Sequence, residues 1–197
     1  MDWDFGFFLT SILFGVGLAM DAFSVSVTNG LHEPCMKRRR MAGIALVFAI
    51  YQALMPMIGW FCVHNLLEQF QWFSKFIPWI ALILLSYIGG KMLYEGIRHK
   101  GESCEDRPRA GFWALMIQGI ATSIDALSVG LDTASYDVLH ALICSLIIAV
   151  VTFFICLVGV LIGRTVGDKL SGKSSILGGI ILIGIGIEIF ITGLLGI

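Results

Sequence analysis

Six apolar stretches divide this chain, each near the roughly 20 residues an α-helix needs to cross a hydrocarbon layer. They fall at about 5–28, 41–63, 76–97, 111–131, 138–162 and 176–196, joined by short connections. The runs are continuous, whereas the strands of a membrane barrel would alternate polar and apolar residues. An all-α integral membrane fold of six transmembrane helices follows. Composition agrees, with 57% of the 197 residues hydrophobic and 14% charged, where a soluble domain carries about 25% charged residues. A lipid bilayer, rather than water, is therefore the expected solvent for most of the surface. The formal net charge of −1 offers no basic field for nucleic acid. The N-terminal run opens on Asp2 and Asp4 rather than on Lys or Arg, and it continues too far for a cleavable signal. The five cysteines form no CxxC pair or zinc-type cluster, so they read as small packing residues.

The cations set the orientation. Lys37, Arg38, Arg39 and Arg40 lie between the first and second spans. Arg98, Lys100, Arg107 and Arg109 lie between the third and fourth, just after Lys91, and Arg164, Lys169 and Lys173 lie between the fifth and sixth. Only Lys75 falls on the opposite side, a division of 12 to 1. The positive-inside bias then places those three connections in the cytoplasm and both termini outside, in a multi-pass protein of the cytoplasmic membrane.

An internal repeat organises the spans. Leu18-Ala19-Met20-Asp21-Ala22-Phe23-Ser24-Val25 in the first returns as Thr122-Ser123-Ile124-Asp125-Ala126-Leu127-Ser128-Val129 in the fourth, and Gly15 and Gly119 precede each Asp by six residues. Ile88-Gly89-Gly90-Lys91 and Ile185-Gly186-Ile187-Glu188 echo one another more weakly. Residues 1–100 and 101–197 then form two three-helix repeats within one membrane domain. Three crossings per repeat force the second to insert inverted, a ground plan of secondary transporters whose site lies where the halves meet.

Asp21 and Asp125 are each within about 6 Å of the predicted midplane at 1.5 Å per residue. A charged Asp there costs about 2.5–3.5 kcal/mol to insert, so two of them require compensation. Lys91 can pair with Glu95 one turn away, which leaves a bound divalent cation, with protons in its absence, as the compensation for the aspartates. Gln118, Thr122, Asp125, Ser128 and Asp132 form one polar stripe on the fourth span, as Asp21, Ser24 and Thr28 do on the first. Gln52 lies at the middle of the second span, and Pro56 frees its carbonyl from the helix ladder. The set is rich in oxygen and suits Mg, Ca or Mn better than Cu(I) or Zn. For Ser24, Thr28, Thr122 and Ser128 the alternative is interhelical hydrogen bonding without a ligand. Glu188, near the middle of the sixth span, has no cation in its own helix within one turn. It is protonated, paired across helices, or part of the metal site. His140 with Cys144, and Met20 with Met55, could add softer ligands, although packing accounts for each.

The chain resembles the MntP-type manganese exporters, six-helix proteins of the LysE-type transporter group. The resemblance rests on Ala19-Met20-Asp21-Ala22-Phe23-Ser24-Val25-Ser26, Gln52-Ala53-Leu54-Met55-Pro56-Met57-Ile58-Gly59-Trp60, Ile88-Gly89-Gly90-Lys91-Met92 with Glu95, Ala121-Thr122-Ser123-Ile124-Asp125-Ala126, and Gly178-Gly179 through Ile185-Gly186. It implies Mn²⁺ efflux with Asp21 and Asp125 as functional residues. Some members of that family carry Glu where this chain has Gln52, and uncharged residues where it has Asp132 and Glu188.

The expected function is thus secondary transport, not enzymatic catalysis, with Mn²⁺ as the exported substrate and no resident cofactor. Export of a divalent cation against an inside-negative potential costs about 4.6 kcal/mol per 100 mV. The chain has no nucleotide-binding GxxxxGK[ST] motif, so protons are the expected counter-ion. Alternatives are export of another cation or of a basic amino acid, and an intramembrane aspartyl protease. The protease lacks a Gly-x-Gly-Asp context at either aspartate.

Overall fold

The computed structural model describes residues 5–74, 77–98, 111–133, 136–169 and 174–195. Its helices are α1 (Phe5–His32), α2 (Arg38–Ser74), α3 (Ile77–Arg98), α4 (Phe112–Thr122), α5 (Ala126–Asp132), α6 (Val138–Lys169) and α7 (Ser174–Leu195). Lys75, Lys100, Cys104, Arg107, Arg109 and Lys173, used above for orientation and cysteine counting, lie outside the described residues. Among the described residues, three segments are long and apolar enough to cross a membrane by themselves: Phe5–His32, Arg38–Cys62 and Val138–Gly167.

Polarity is distributed as lipid solvation demands. Leu13, Ile83, Leu146 and Phe154 are about 60% exposed on the outside, while Ser26, Thr28, Gln52 and Thr152 are fully buried. A soluble core would reverse that pattern. The interior apolar residues gather around Phe48, Ile44, Leu85, Val160 and Leu182, contributed by helices of both sequence halves.

Small residues let the backbones close on one another. α1 and α6 run parallel along the most extensive seam. Gly15 lies against Ile148 and Val151, Gly30 against Val160 and Gly163, and Gly167 against Leu31. A β-carbon at Gly163 would fall on the Val27 carbonyl oxygen, so only Gly permits this approach. α2 runs parallel to α4 and α5, with Tyr51 covering Gly119, and Gly59 meeting Leu127 and Gly130. α3 and α7 are antiparallel, with Gly89 facing Gly179 and Ile183, and Leu93 also reaching Gly179.

These contacts have the pattern of an inverted repeat. Exchanging the halves maps the α1–α6 seam onto the seam between α4–α5 and α2, and maps α3–α7 onto itself. Gly15 against Val151 and Gly119 against Tyr51 are the corresponding contacts, six residues before each aspartate.

The fourth span departs from the expected single helix over 111–131. It breaks after Thr122 and resumes at Ala126. Ser123 Oγ donates to the carbonyls of Gly119 (2.7 Å) and Ile120 (3.2 Å), and Thr122 Oγ1 donates to Gln118 (2.9 Å). The Ser123 N–H bonds back to Ile120 and that of Ala126 to Ser123, both three residues apart and both at 3.2 Å. Hydroxyls that compete for helix carbonyls favour such tightening. The first repeat copy has Leu18-Ala19 at the matching positions, and α1 runs through unbroken.

At the cation-rich end, Arg40 grips Glu33 through two bonds of 2.6 and 2.7 Å. Arg164 Nε donates to the Pro34 carbonyl at 3.0 Å, fastening the α1–α2 turn to α6. Cys35, in that turn, is disulfide-bonded rather than the isolated packing residue expected. Spacing alone does not reveal disulfide connectivity. Cys62, Cys144 and Cys156 are free.

Candidate functional site

The break in the fourth span positions Asp125. One of its carboxylate oxygens accepts the N–H of Ala126 at 2.9 Å, in the role of a cap for α5. Asp125 keeps an exposed surface at the break, between the buried Ser123 and Ala126. Asp21, half-buried on the continuous α1, is near enough for the two carboxylate charges to interact. The fold thus brings together the two aspartates that the repeat singles out, one from each half.

Among the described residues, no group of three or more His, Cys, Asp or Glu side chains converges to hold a metal. Among the described residues, the further oxygens available to a cation between the aspartates are neutral. Several lie on the same helices. Ser24 Oγ donates to the Met20 carbonyl (3.1 Å), Thr28 Oγ1 to Ser24 (3.0 Å), and Thr122 Oγ1 to Gln118 (2.9 Å). Each hydroxyl proton is committed to its own helix, and the oxygen keeps lone pairs.

Gln52 reaches α1 from α2, its Nε2 donating to the Leu18 carbonyl at 2.6 Å. Its Oε1 is fully buried with no hydrogen-bond partner among the described residues. Leu18 is one turn before Asp21, so Gln52 belongs to the layer beside the aspartate. Ser128 and Asp132 lie on α5 and Glu188 on α7; their side chains lie outside what the structure describes.

The softer candidates do not join the aspartates. Met20 is 57% exposed and lines an apolar surface groove with Phe23, Phe154, Ile155 and Val158. Met55 packs against the cluster of Leu18, Ala126, Val129, Cys144 and Ile148. His140 is buried edge-on against the rings of Phe7 and Tyr136.

Among the described residues, several buried polar side chains escape the sequence reasoning, Asn29, Thr152 and Ser26 among them. Asn29 bridges α1 to α4, its Nδ2 donating to Gln118 Oε1 at 2.8 Å. Thr152 stands in α6 where Gln52 stands in α2, and its Oγ1 has no partner among the described residues, as is true of Ser26 Oγ. Asn29 was signalled by being an amide inside an apolar run. The Ser and Thr residues carry no such mark, since these side chains commonly satisfy themselves within a membrane helix.

An apolar exterior, two halves related by inverted-repeat contacts and a carboxylate at a broken helix define a polytopic α-helical membrane protein built on the plan of secondary transporters. The chain belongs to the MntP family, whose sequence profile, described as "Putative manganese efflux pump", matches residues 35–190. It is 38% identical over 185 residues to "Putative manganese efflux pump MntP" of Ruminiclostridium cellulolyticum, covering 91% of this chain and 93% of that protein. It is 41% identical over 194 residues to "Putative manganese efflux pump MntP 2" of Clostridium botulinum strain Hall, covering 93% and 94%. The similarly named Klebsiella pneumoniae protein is 39% identical over 182 residues, covering 91% and 94%. No solved structure matches the chain.

Proposed function

We propose that this protein is a secondary transporter that exports a divalent cation, Mn²⁺ before others, from the cytoplasm in exchange for protons. The observation that carries the reading is the meeting of Asp21 and Asp125, matching positions of two repeat copies, where the fourth span breaks. Two carboxylates offset the charge of one divalent cation, or hold two protons when it is absent. A shared site of this kind lets metal and protons occupy it alternately.

Gln52 Oε1 and the hydroxyl oxygens of Ser24 and Thr122 supply neutral ligands, with Ser128, Asp132 and Glu188 as further members from α5 and α7. All are hard oxygen donors, which suits Mn²⁺ better than a thiophilic metal, and manganese efflux is what the relatives' names state. Residues 1–100 and 101–197 act as the two inverted halves, and both termini face outside. An impermeant thiol reagent reaching Cys35 from outside intact cells, after reduction, would reverse that orientation.

Purified protein in proteoliposomes that enclose a pH-sensitive dye tests the function. Mn²⁺ moving in one direction should drive protons in the other. Mn²⁺ transport with no proton movement would remove the antiport, and no Mn²⁺ transport at all would remove the cargo.

A further inference from the structure

The amide pair that joins the halves lies at a telling height. Asn29 is eight residues beyond Asp21 along α1, about 12 Å at 1.5 Å per residue. Gln118 precedes Asp125 by seven residues and lies in α4, across the break in the fourth span from α5. Both displacements lead toward the cation-rich end, where Arg40 and Arg164 hold the α1–α2 turn. The pair therefore stands between the aspartates and that end of the bundle. Its neighbours along both helices are buried, with Val25, Ser26 and Thr28 within a turn on α1, and Leu115, Ala121 and Thr122 on α4.

The bonding is lopsided. Asn29 Nδ2 donates to Gln118 Oε1 at 2.8 Å and to the Val25 carbonyl at 3.1 Å. Asn29 Oδ1 has no partner among the described residues, although the residue is only 2% exposed. A purely structural fastener gains nothing from an amide oxygen buried without a donor, and an apolar pair of similar shape would avoid that penalty. The unpartnered oxygen points to a ligand that is absent from this arrangement.

We propose that Asn29 and Gln118 form a second cation subsite, built of neutral amide oxygens, which also closes the cytoplasmic half of the path while their hydrogen bond is made. The proposal rests on the exporter reading above. When the pair parts, Oδ1 of Asn29 and Oε1 of Gln118 both become available to a partly dehydrated divalent cation. Neutral oxygens hold such an ion more weakly than the two carboxylates beyond them. Conduction toward a deeper site needs this gradation, because an entry ligand must also release. With the bond made, the pair itself is closed off, Asn29 at 2% and Gln118 at 1% exposure.

Two measurements on the full-length protein test this. In the first, Thr122→Cys reports access beyond the pair, since Thr122 is buried one turn from Gln118 toward Asp125. An impermeant thiol reagent is applied from the cytoplasmic face of inverted vesicles, and labelling is compared with the same chain carrying Thr122. Asn29→Ala or Gln118→Ala should speed labelling about tenfold. In the second, proteoliposomes carrying native Thr122 are assayed with Mn²⁺ alone. Either alanine variant should raise the half-saturating Mn²⁺ concentration several-fold. The exchanged pair, Asn29→Gln with Gln118→Asn, should return both readings toward those of the parent, and it keeps the test available if one alanine variant fails to insert. Unchanged labelling, or unchanged half-saturation, in the alanine variants overturns the proposal. If the parent moves no Mn²⁺, the exporter reading falls and the labelling still decides the gate.

Discussion

At the scale of single residues, the two aspartates are the part of the site that the sequence exposes most openly. A carboxylate in an apolar run must be compensated, and finding the same carboxylate in a repeated motif selects Asp21 and Asp125 together. Asp21→Asn and Asp125→Asn should each lower Mn²⁺ export at least about 100-fold while leaving a folded, inserted protein, because neutralising an embedded charge removes a desolvation penalty. Export rate and the yield of monodisperse protein in detergent check the two halves of that statement; a mutant exporting at the parent rate would make its aspartate structural. Neutral side chains are harder to read. Gln52 was legible from its central position and from Pro56 one turn on, and its buried Oε1 agrees with a ligand role. Asn29 is marked in sequence only as an amide inside an apolar run and Thr152 not at all, and only the packing shows which of their atoms are unpartnered. Met20 misleads in the opposite sense. It adjoins Asp21 in sequence, but neighbouring residues on a helix point about 100° apart, and Met20 lies on the outer surface.

At the scale of elements, hydropathy locates the fourth span but cannot show that it is two helices. Phe112–Thr122 and Ala126–Asp132 form one apolar run in sequence, and averaging over it hides a three-residue interruption. The local chemistry does mark the place. Thr122-Ser123 replaces the Leu18-Ala19 of the first copy, and those two hydroxyls bond back to Gln118, Gly119 and Ile120 just before Asp125. Restoring the first copy's residues with Thr122→Leu and Ser123→Ala should favour a continuous helix and withdraw the Asp125 carboxylate from its cap on Ala126. The expected result is export reduced about tenfold or more at normal membrane abundance. Ser123→Ala alone, which leaves the Thr122 oxygen in place, separates the break from the loss of a ligand. If the single variant and the double variant both export like the parent, the interruption has no part in transport.

At the scale of the whole molecule, the two sequence halves are not separate bodies. α1 lies along α6, α2 along α4 and α5, and α3 along α7, so each principal seam joins one half to the other. The repeat, legible in eight residues around each aspartate, pointed to an inverted plan with the halves meeting, but not to which helices would pair. It could not foretell the glycine contacts that set how closely the helices approach, because such contacts depend on which faces meet. The symmetry bears directly on energetics. In the exchange proposed above, with one carboxylate from each half, the site would pass between one divalent cation and two protons without a change in charge. Exchange of that stoichiometry is electroneutral, whereas uncoupled export would be opposed by about 4.6 kcal/mol per 100 mV, roughly a thousand-fold or more in the attainable concentration ratio. In proteoliposomes, a potassium-diffusion potential of about 100 mV should therefore leave the final Mn²⁺ ratio unchanged. A pH difference of one unit should shift that ratio about 100-fold, because two protons enter the balance for each metal ion, with Mn²⁺ accumulating on the more acidic side. A final ratio that follows the imposed potential would instead require one proton or none per cycle, and would assign one of the two aspartates a role other than proton carrier.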